Sequence, residues 1–198
     1  DLLEFLKQRL HITDNDNTVA GGRYHAHRDF MKFPDFGRKD LKFPKVKPLQ
    51  HNALAHSRSV LSSIKKQDIL LHYPYQSFQH ITNMLQEAAL DPKVTSIKMT
   101  IYRVAEGSAV ANALINAVRN GKDVTVVVEL FARFDEESNI FWARKLHEEG
   151  VHVIEGVPGL KVHSKLILIT REEKGGLKRY ANIATGNFNE NTAKLYTD

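Results

Sequence analysis

Residues 124–130 read Val-Thr-Val-Val-Val-Glu-Leu, a nearly continuous apolar run dominated by β-branched side chains. A run of this length and composition is typical of a strand buried on both faces of a parallel sheet. A helical stripe of Val110, Leu114, Ala117 and Val118 precedes it and stops at Asn120-Gly121. Another helix is predicted over residues 135–149, followed by Gly150 and a short strand over 151–154. Strands that alternate with helices of this length predict an α/β layered domain.

The same cycle extends outward on both sides of this stretch. Phe78, Ile81 and Leu85 recur at helical spacing before a predicted strand over residues 94–104. Two last strands are predicted over residues 166–170 and 180–185, joined by a turn at Gly175-Gly176. We therefore expect residues 76–198 to form an α/β domain, a mostly parallel sheet flanked by helices.

Residues 1–75 lack this regularity. Leu2, Leu3, Phe5, Leu6 and Leu10 predict a short helix, after which glycine and proline pairs interrupt the chain repeatedly. We interpret this part as the end of a preceding domain and a linker. The chain begins without methionine and ends without a polar tail, so both ends are interpreted as cuts through a larger protein.

Composition narrows the class of protein. At 198 residues with 42% hydrophobic content the chain can bury a core, and it has no apolar run long enough to cross a bilayer. The absence of cysteine excludes disulfides and thiolate metal sites. Residues 1–75 hold 13 Lys and Arg against 8 Asp and Glu, which accounts for the whole net charge of +5. A basic segment suits nucleic acid, a membrane surface or a polyanionic substrate, and charge alone does not choose among them.

The most informative motif for chemistry is Gly159-Leu160-Lys161-Val162-His163-Ser164-Lys165. If it opens a strand, alternation places His163 and Lys165 on one face. A cation beside an imidazole keeps it neutral, as a nucleophile must be, and also attracts phosphate. Taken alone, an H-x-K triplet is more often a surface pair on an edge strand than a functional motif.

Other strand ends carry polar groups that suit phosphate. The loop Thr185-Gly186-Asn187-Phe188-Asn189 follows a strand and offers amides that can hold an oxyanion. Arg103 ends the strand over residues 97–102, and Arg133 follows the strand over residues 124–130. Each arginine is either a solvated strand end, a partner of Glu129 or Asp135, or part of a phosphate clamp.

In combination these segments resemble the polyphosphate kinase family, and the resemblance spans nearly the whole chain. Residues 22–34 resemble the part just before that family's first catalytic domain. Four ordered blocks carry the rest of the resemblance: Ile97–Arg103, Val128–Glu136, Gly159–Lys165 and Thr185–Asp198.

The resemblance implies a phospholipase D-like fold with two facing α/β domains, of which this chain holds the first. It implies that His163 is the phosphorylated nucleophile, with Lys165 and Asn189 beside it, and that Tyr196 belongs to the nucleotide site. Arg103 and Arg133 are implied to contact phosphate at the Mg²⁺ site. The second catalytic domain, with its own histidine, is expected to be missing from this chain.

The resulting hypothesis is reversible transfer of the ATP γ-phosphate to polyphosphate through a phosphohistidine. ATP, polyphosphate and Mg²⁺ are the expected partners, and no nucleic acid is expected to bind. The full-length protein is expected to be a cytoplasmic homo-oligomer that is membrane-associated in some settings. One alternative is a phosphodiesterase or nuclease of the phospholipase D type. The chain departs from that motif near Thr170, where its aspartate would fall. The other alternative is a non-catalytic polyanion-binding module based on residues 1–75.

Overall fold

A computed structural model of the chain describes residues 1–13, 16, 21, 30, 33–44, 46–132 and 136–198. Most of the 22–34 block and Arg133 lie outside the described residues. The chain divides into two compact units, Asp1–Lys45 and Val46–Asp198. In the first unit, helix α1 spans Leu2–Arg9 and is capped by the Asp1 side chain, which accepts from the Glu4 N–H at 3.1 Å. The predicted N-terminal helix is confirmed.

The second unit is built on a five-stranded sheet in the order β3-β2-β1-β4-β5. Strands β1, β2 and β3 are parallel, whereas β4 is antiparallel to β1 and β5 to β4. The strands span Val94–Ile101 (β1), Asp123–Val128 (β2), His152–Glu155 (β3), Lys165–Glu173 (β4) and Gly176–Ala184 (β5).

The α/β class predicted from the sequence is confirmed, and the sheet is mixed. The β1-β2-β3 half is parallel because helices connect its strands, as the alternating pattern predicted. The β4-β5 half is antiparallel because two residues, Lys174 and Gly175, join its strands, and so short a connection only allows a hairpin. Gly176 has a positive φ of 99°, a conformation that favours glycine at this turn.

Three long helices cover the sheet where the stripes predicted them, with α5 in contact with both α4 and α6. Their bounds are Gln79–Leu90 (α4), Ala109–Arg119 (α5) and Glu136–Glu148 (α6). Each contributes a fully buried leucine to the core, where it joins the apolar positions of the central strands. These residues are Leu85, Leu114, Leu146, Ile97, Ile167 and Ile169.

Residues 46–75 lie in the same compact unit as the sheet. Short helices α2 (Asn52–Ala55) and α3 (Val60–Ile64) occupy this segment, and Leu61 is only 3% exposed in the shared core. The Glu87 carboxylate on α4 accepts from the Val60 N–H at 2.6 Å and so ties α3 to the helical layer. The domain boundary predicted between residues 75 and 76 stays a prediction.

Within the described part of the chain, no helix is long and apolar enough to cross a bilayer.

Candidate active site

Four segments converge at one end of the sheet, where the carboxyl ends of the parallel strands lie. The parallel strands β1 and β2 end there, and because β4 is antiparallel to β1, β4 begins at the same end and β5 ends there. The segments are 102–104, 129–132, 156–164 and 185–192. This convergence brings together residues that are up to ninety positions apart in sequence, at the strand ends where ligands of α/β folds gather.

The strand ends are fixed by Asn139, a fully buried residue of α6. Its side-chain amide donates to the backbone oxygens of Tyr102, at 2.8 Å, and Glu129, at 2.7 Å. The Trp142 indole donates to the Ala105 oxygen at 3.2 Å. Backbone carbonyls that leave a sheet need such partners when they are buried. The side chains that follow β1 and β2 therefore stand on a rigid base.

Tyr102 connects His163 to Lys165. The Tyr102 and His163 rings meet edge to face, with centroids 4.9 Å apart and an interplanar angle of 79°. The Lys165 ammonium lies 5.0 Å from the Tyr102 ring centroid and also donates to the His163 backbone oxygen. An edge-to-face pair and a cation over a ring are both favourable arrangements. His163 and Lys165 are thus brought together as expected, but through a third residue.

His163 itself is exposed, whereas Lys165 is buried. Strand β4 begins only at Lys165, so His163 lies in the loop before it. The strand alternation from which the sequence placed the two side chains therefore does not extend to His163. The result is an accessible imidazole beside a sheltered ammonium.

Two further cations surround the Tyr102 ring. The Arg103 guanidinium carbon lies 5.6 Å from the ring centroid and the Lys161 ammonium 5.8 Å from it. Burial, and secondly the Arg103 charge, lower the pKa of Lys165, while the Asp198 carboxylate acts in the opposite direction. Together, Lys161, Arg103 and Lys165 form what we call the cationic cluster, which suits a polyanionic ligand.

The sequence did not predict that Lys161 belongs to the cationic cluster or that the cluster surrounds the Tyr102 ring. Both residues lie within the quoted blocks, but no periodicity marks an aromatic ring after a strand as a platform for cations. The structure places His163, Lys165 and Arg103 near one another, and the roles predicted for them stay predictions. Arg133 is outside the described residues, so its predicted partnership with Arg103 stays a prediction.

Asn189 has a structural contact that the sequence did not reveal. It is 5% exposed, and its Oδ1 accepts from the backbone N–H groups of Asn191, at 2.9 Å, and Thr192, at 3.1 Å. It therefore forms a side-chain turn that leads into the 3₁₀ helix over Thr192–Lys194. The oxyanion-binding role predicted for the 185–189 loop stays a prediction.

The same loop is anchored on both sides. Glu190 accepts from the Val110 N–H at 3.0 Å and from the Ser108 hydroxyl at 3.0 Å, which ties the loop to the start of α5. A Cβ added to Gly186 would lie 2.2 Å from Asp198 Oδ2, so a larger residue there would displace the Asp198 side chain. The loop is held in place before any ligand binds.

Tyr196 lies just beyond the 3₁₀ turn and is 55% exposed. Its backbone N–H donates to the Thr192 oxygen at 3.0 Å. Among the described residues, no ring contact or hydrogen bond joins its side chain to the His163 cluster. An exposed aromatic ring is compatible with the nucleotide role predicted for it, which stays a prediction.

In the described ranges, no group of three or more His, Asp or Glu side chains converges as a metal site. These residues therefore offer cations and an imidazole, but not the oxygen-rich ligand set that Mg²⁺ prefers.

Comparison with known proteins gives a consistent result. A sequence model described as polyphosphate kinase C-terminal domain 1 matches residues 59–198. A polyphosphate kinase of Vibrio vulnificus (strain YJ016) is 54% identical over 198 residues, which cover all of this chain and 28% of that protein. A polyphosphate kinase of Escherichia coli (strain K12) is 51% identical over 199 residues, covering all of this chain and 29% of that protein.

Among solved structures, the polyphosphate kinase from Porphyromonas gingivalis superposes with a TM-score of 0.72 at 37% identity. The match covers 90% of this chain and 30% of that one. The phospholipase D family member Nuc from Salmonella typhimurium gives a TM-score of 0.43 at 18% identity, over 58% of this chain and 68% of that one. The chain thus spans less than a third of the length of the curated relatives named above.

Proposed function

Because this chain belongs to the polyphosphate kinase family, we propose that it carries the phosphoryl-accepting histidine of an ATP-to-polyphosphate phosphotransferase, at His163. The observation that supports this most strongly is the meeting of an exposed imidazole with the cationic cluster around Tyr102. A nucleophile must be reachable by its substrate, and the charges that attract the substrate must stand beside it.

In the proposed first half-reaction, an imidazole nitrogen of His163 attacks the γ-phosphorus of ATP. A P–N bond forms as the bond between the γ-phosphorus and the β,γ-bridging oxygen breaks, and ADP leaves with that electron pair. In the second half-reaction, a terminal oxygen of polyphosphate attacks the phosphohistidine phosphorus, and the P–N bond breaks. One anhydride replaces another, so the reaction is reversible.

Besides the nucleophile, this chain contributes the positive charge of the cationic cluster to the proposed reaction. Phosphoryl transfer depends on positioning and on neutralising charge on the transferring group. Two unit charges 4 Å apart interact by roughly 4 kcal/mol near a protein surface. Lys165 is held by the His163 carbonyl and the Tyr102 ring, so its charge is aimed before substrate arrives. Mg²⁺ accompanies ATP as the counter-ion of the substrate.

Phosphate on His163 tests this proposal directly. The complete protein that contains this sequence is incubated with Mg²⁺ and γ-labelled ATP, then digested and sequenced by mass spectrometry under alkaline conditions, which preserve phosphohistidine. We expect acid-labile phosphate on His163 and at least a thousand-fold loss of labelling in His163→Ala, since the bond-forming atom is gone. Normal labelling of His163→Ala, or hydrolysis of a phosphodiester in the absence of nucleotide, would contradict the proposal.

A further inference from the structure

Glu129 is a buried carboxylate at the edge that carries His163. It follows β2 directly and is 6% exposed. Ionised groups of this kind are unfavourable in a protein interior unless their oxygens accept hydrogen bonds. The sequence suggested Glu129 as a partner for Arg103 or Arg133. The structure gives its side chain a different set of contacts.

Both carboxylate oxygens of Glu129 accept from backbone N–H groups. Oε1 accepts from Phe131 at 3.1 Å, and Oε2 accepts from Val162 at 2.9 Å. Phe131 belongs to the segment after β2, whereas Val162 belongs to the loop before β4, 33 positions away in sequence. One side chain therefore holds two separate loops. Hydrogen bonds to an ionised acceptor are stronger than those between neutral groups.

The backbone of Glu129 is itself fixed. Its N–H donates to the Ile101 oxygen at 2.9 Å, which adds one rung to the β1-β2 ladder, and its oxygen accepts from Asn139. The carboxylate is thus a rigid arm that reaches from the sheet edge to the loop before β4. It does not depend on the loop for its own position.

Val162 is the residue directly before His163, and its side chain is 7% exposed. The hydrogen bond that the Val162 N–H donates to Glu129 fixes the backbone on one side of the histidine, and the bond that Lys165 donates to the His163 oxygen fixes the other. The imidazole ring then rests on Tyr102, whose backbone oxygen is held by the same Asn139 that holds Glu129. The backbone and the ring of His163 are therefore both positioned by contacts with the residues that follow β1 and β2, Tyr102 and Glu129.

We propose that Glu129 is a positioning residue for His163: its carboxylate holds the Val162 amide and so sets where the imidazole meets the transferring phosphoryl group. This inference rests on the function proposed above. Glu129 contacts backbone amides rather than substrate, so its removal should slow phosphoryl transfer much more than it weakens ATP binding. A displacement of about 1 Å at a reacting atom can reduce a rate by roughly a hundred-fold.

Glu129→Gln is the sharpest substitution, because it keeps the shape of the side chain but leaves only one oxygen to accept from two amides. Glu87→Gln is its matched control. Glu87 also accepts backbone N–H groups, from Val60 at 2.6 Å and Leu61 at 3.3 Å, but it lies in α4 close to the start of β1, at the other end of the sheet. In Glu87 both backbone N–H groups donate to Oε2, and Oε1 accepts from the Ser59 hydroxyl. Both variants replace a carboxylate that accepts backbone N–H groups by an amide, and only Glu129 adjoins the loop of His163.

The complete protein is used, with single-turnover labelling of His163 by γ-labelled ATP, melting temperatures, and amide hydrogen exchange at Val162. For Glu129→Gln we expect labelling at saturating ATP to slow by about 10- to 100-fold. Half-saturation by ATP should change less than about three-fold, and the Val162 amide should exchange faster. For Glu87→Gln we expect a lowered melting temperature, a labelling rate within about two-fold of wild type and unchanged exchange at Val162.

Equal labelling rates in the two variants would overturn the inference, as would a Glu129→Gln defect confined to ATP half-saturation. If Glu129→Gln melts below the assay temperature, Glu129→Asp replaces it. That side chain keeps the charge but reaches only one amide, so about 5- to 30-fold slower labelling is expected and a wild-type rate would overturn the inference. Wild-type protein without phosphate on His163 would overturn the proposed function itself, a result separate from either variant's behaviour.

Discussion

The two ends of the sheet use charge in opposite ways. At the end where β1 begins, Arg171 pairs with Asp91 at 2.8 Å and with Glu173 at 3.3 Å. Glu173 also accepts from Lys65 and from the Tyr180 hydroxyl. At the end where β1 finishes, Lys161 and Lys165 lie over an aromatic ring, and the nearby carboxylate of Glu129 is occupied by backbone amides.

We interpret this difference as a division of roles, with stability at the first end and the proposed phosphoryl transfer at the second. At the first end, paired charges link β4 and β5 to the residues that follow α3 and α4. Because these charges neutralise one another, they attract a charged ligand only weakly. Cations held by a ring and a carbonyl keep their charge available to phosphate, at the expense of mutual repulsion. We expect substitutions at the first end to change melting temperature and substitutions at the second end to change phosphoryl transfer.

The largest expected effect concerns the 198-residue chain by itself. We expect at least residues 76–198 to fold, because a buried core and the ion pairs at the end where β1 begins lie within this chain. It should show little or no polyphosphate synthesis, because the family resemblance assigns half of the phosphate contacts to a second domain. Losing one well-placed charged contact alone reduces rates by about 10²- to 10³-fold. The measurement is turnover of the isolated chain against the complete protein at equal Mg-ATP, with circular dichroism to establish folding. Comparable turnover per histidine would contradict this expectation.

The next effect compares one cation from each end. Lys165→Met keeps the buried stem but removes the charge beside His163, so labelling of His163 should fall by roughly 10²-fold with a melting temperature near that of wild type. Arg171→Met breaks a half-buried ion pair and should destabilise the protein by about 1–3 kcal/mol, which lowers the melting temperature by several degrees. Its labelling rate should stay within about two-fold of wild type at a temperature where both are folded. A reversal of these two patterns would show that the ends are not specialised.

The smallest effect is a pH dependence at the far end. The Lys65 ammonium, and secondly the Tyr180 hydroxyl, lower the pKa of Glu173 from its ordinary value of 4.5 to about 2. A carboxyl whose pKa is lowered by folding contributes stability that is present above its unfolded pKa and is lost as pH falls toward the folded one. The difference in melting temperature between wild type and Glu173→Gln should therefore be largest near pH 7 and shrink between about pH 5 and pH 2. A difference that stays constant over this range would argue against the Lys65 and Tyr180 contacts.

The elements of this fold could be predicted from sequence because their causes are local. The stripe of Val110, Leu114 and Ala117 and the run over 124–130 carry their own periods, and both are confirmed as α5 and β2. The hairpin turn was visible in Gly175-Gly176, but the antiparallel pairing of β4 with β1 was not, since it depends on contacts about seventy positions apart. The local hydrophobic pattern predicts individual helices and strands, whereas the order and direction of the strands in the sheet depend on long-range pairing.

The candidate site could be predicted only in outline for the same reason. His163, Lys165 and Arg103 were marked by motif and resemblance, and the structure brings them to one edge. The hub at Tyr102 and the bond from Glu129 to Val162 were not foreseen, because both join segments that no sequence period relates. The role predicted for Asn189 near phosphate stays a prediction, and the sequence did not reveal that its oxygen accepts from the backbone N–H groups of Asn191 and Thr192.

Chemical competence of the labelled histidine tests the central claim most directly. The complete protein is labelled with γ-labelled ATP, freed of nucleotide by rapid gel filtration, and mixed with unlabelled polyphosphate or with ADP. If His163 is the carrier, label leaves the protein and appears at the same rate in polyphosphate, or in ATP when ADP is supplied. Label that stays on His163, or that leaves only as inorganic phosphate, would contradict the account.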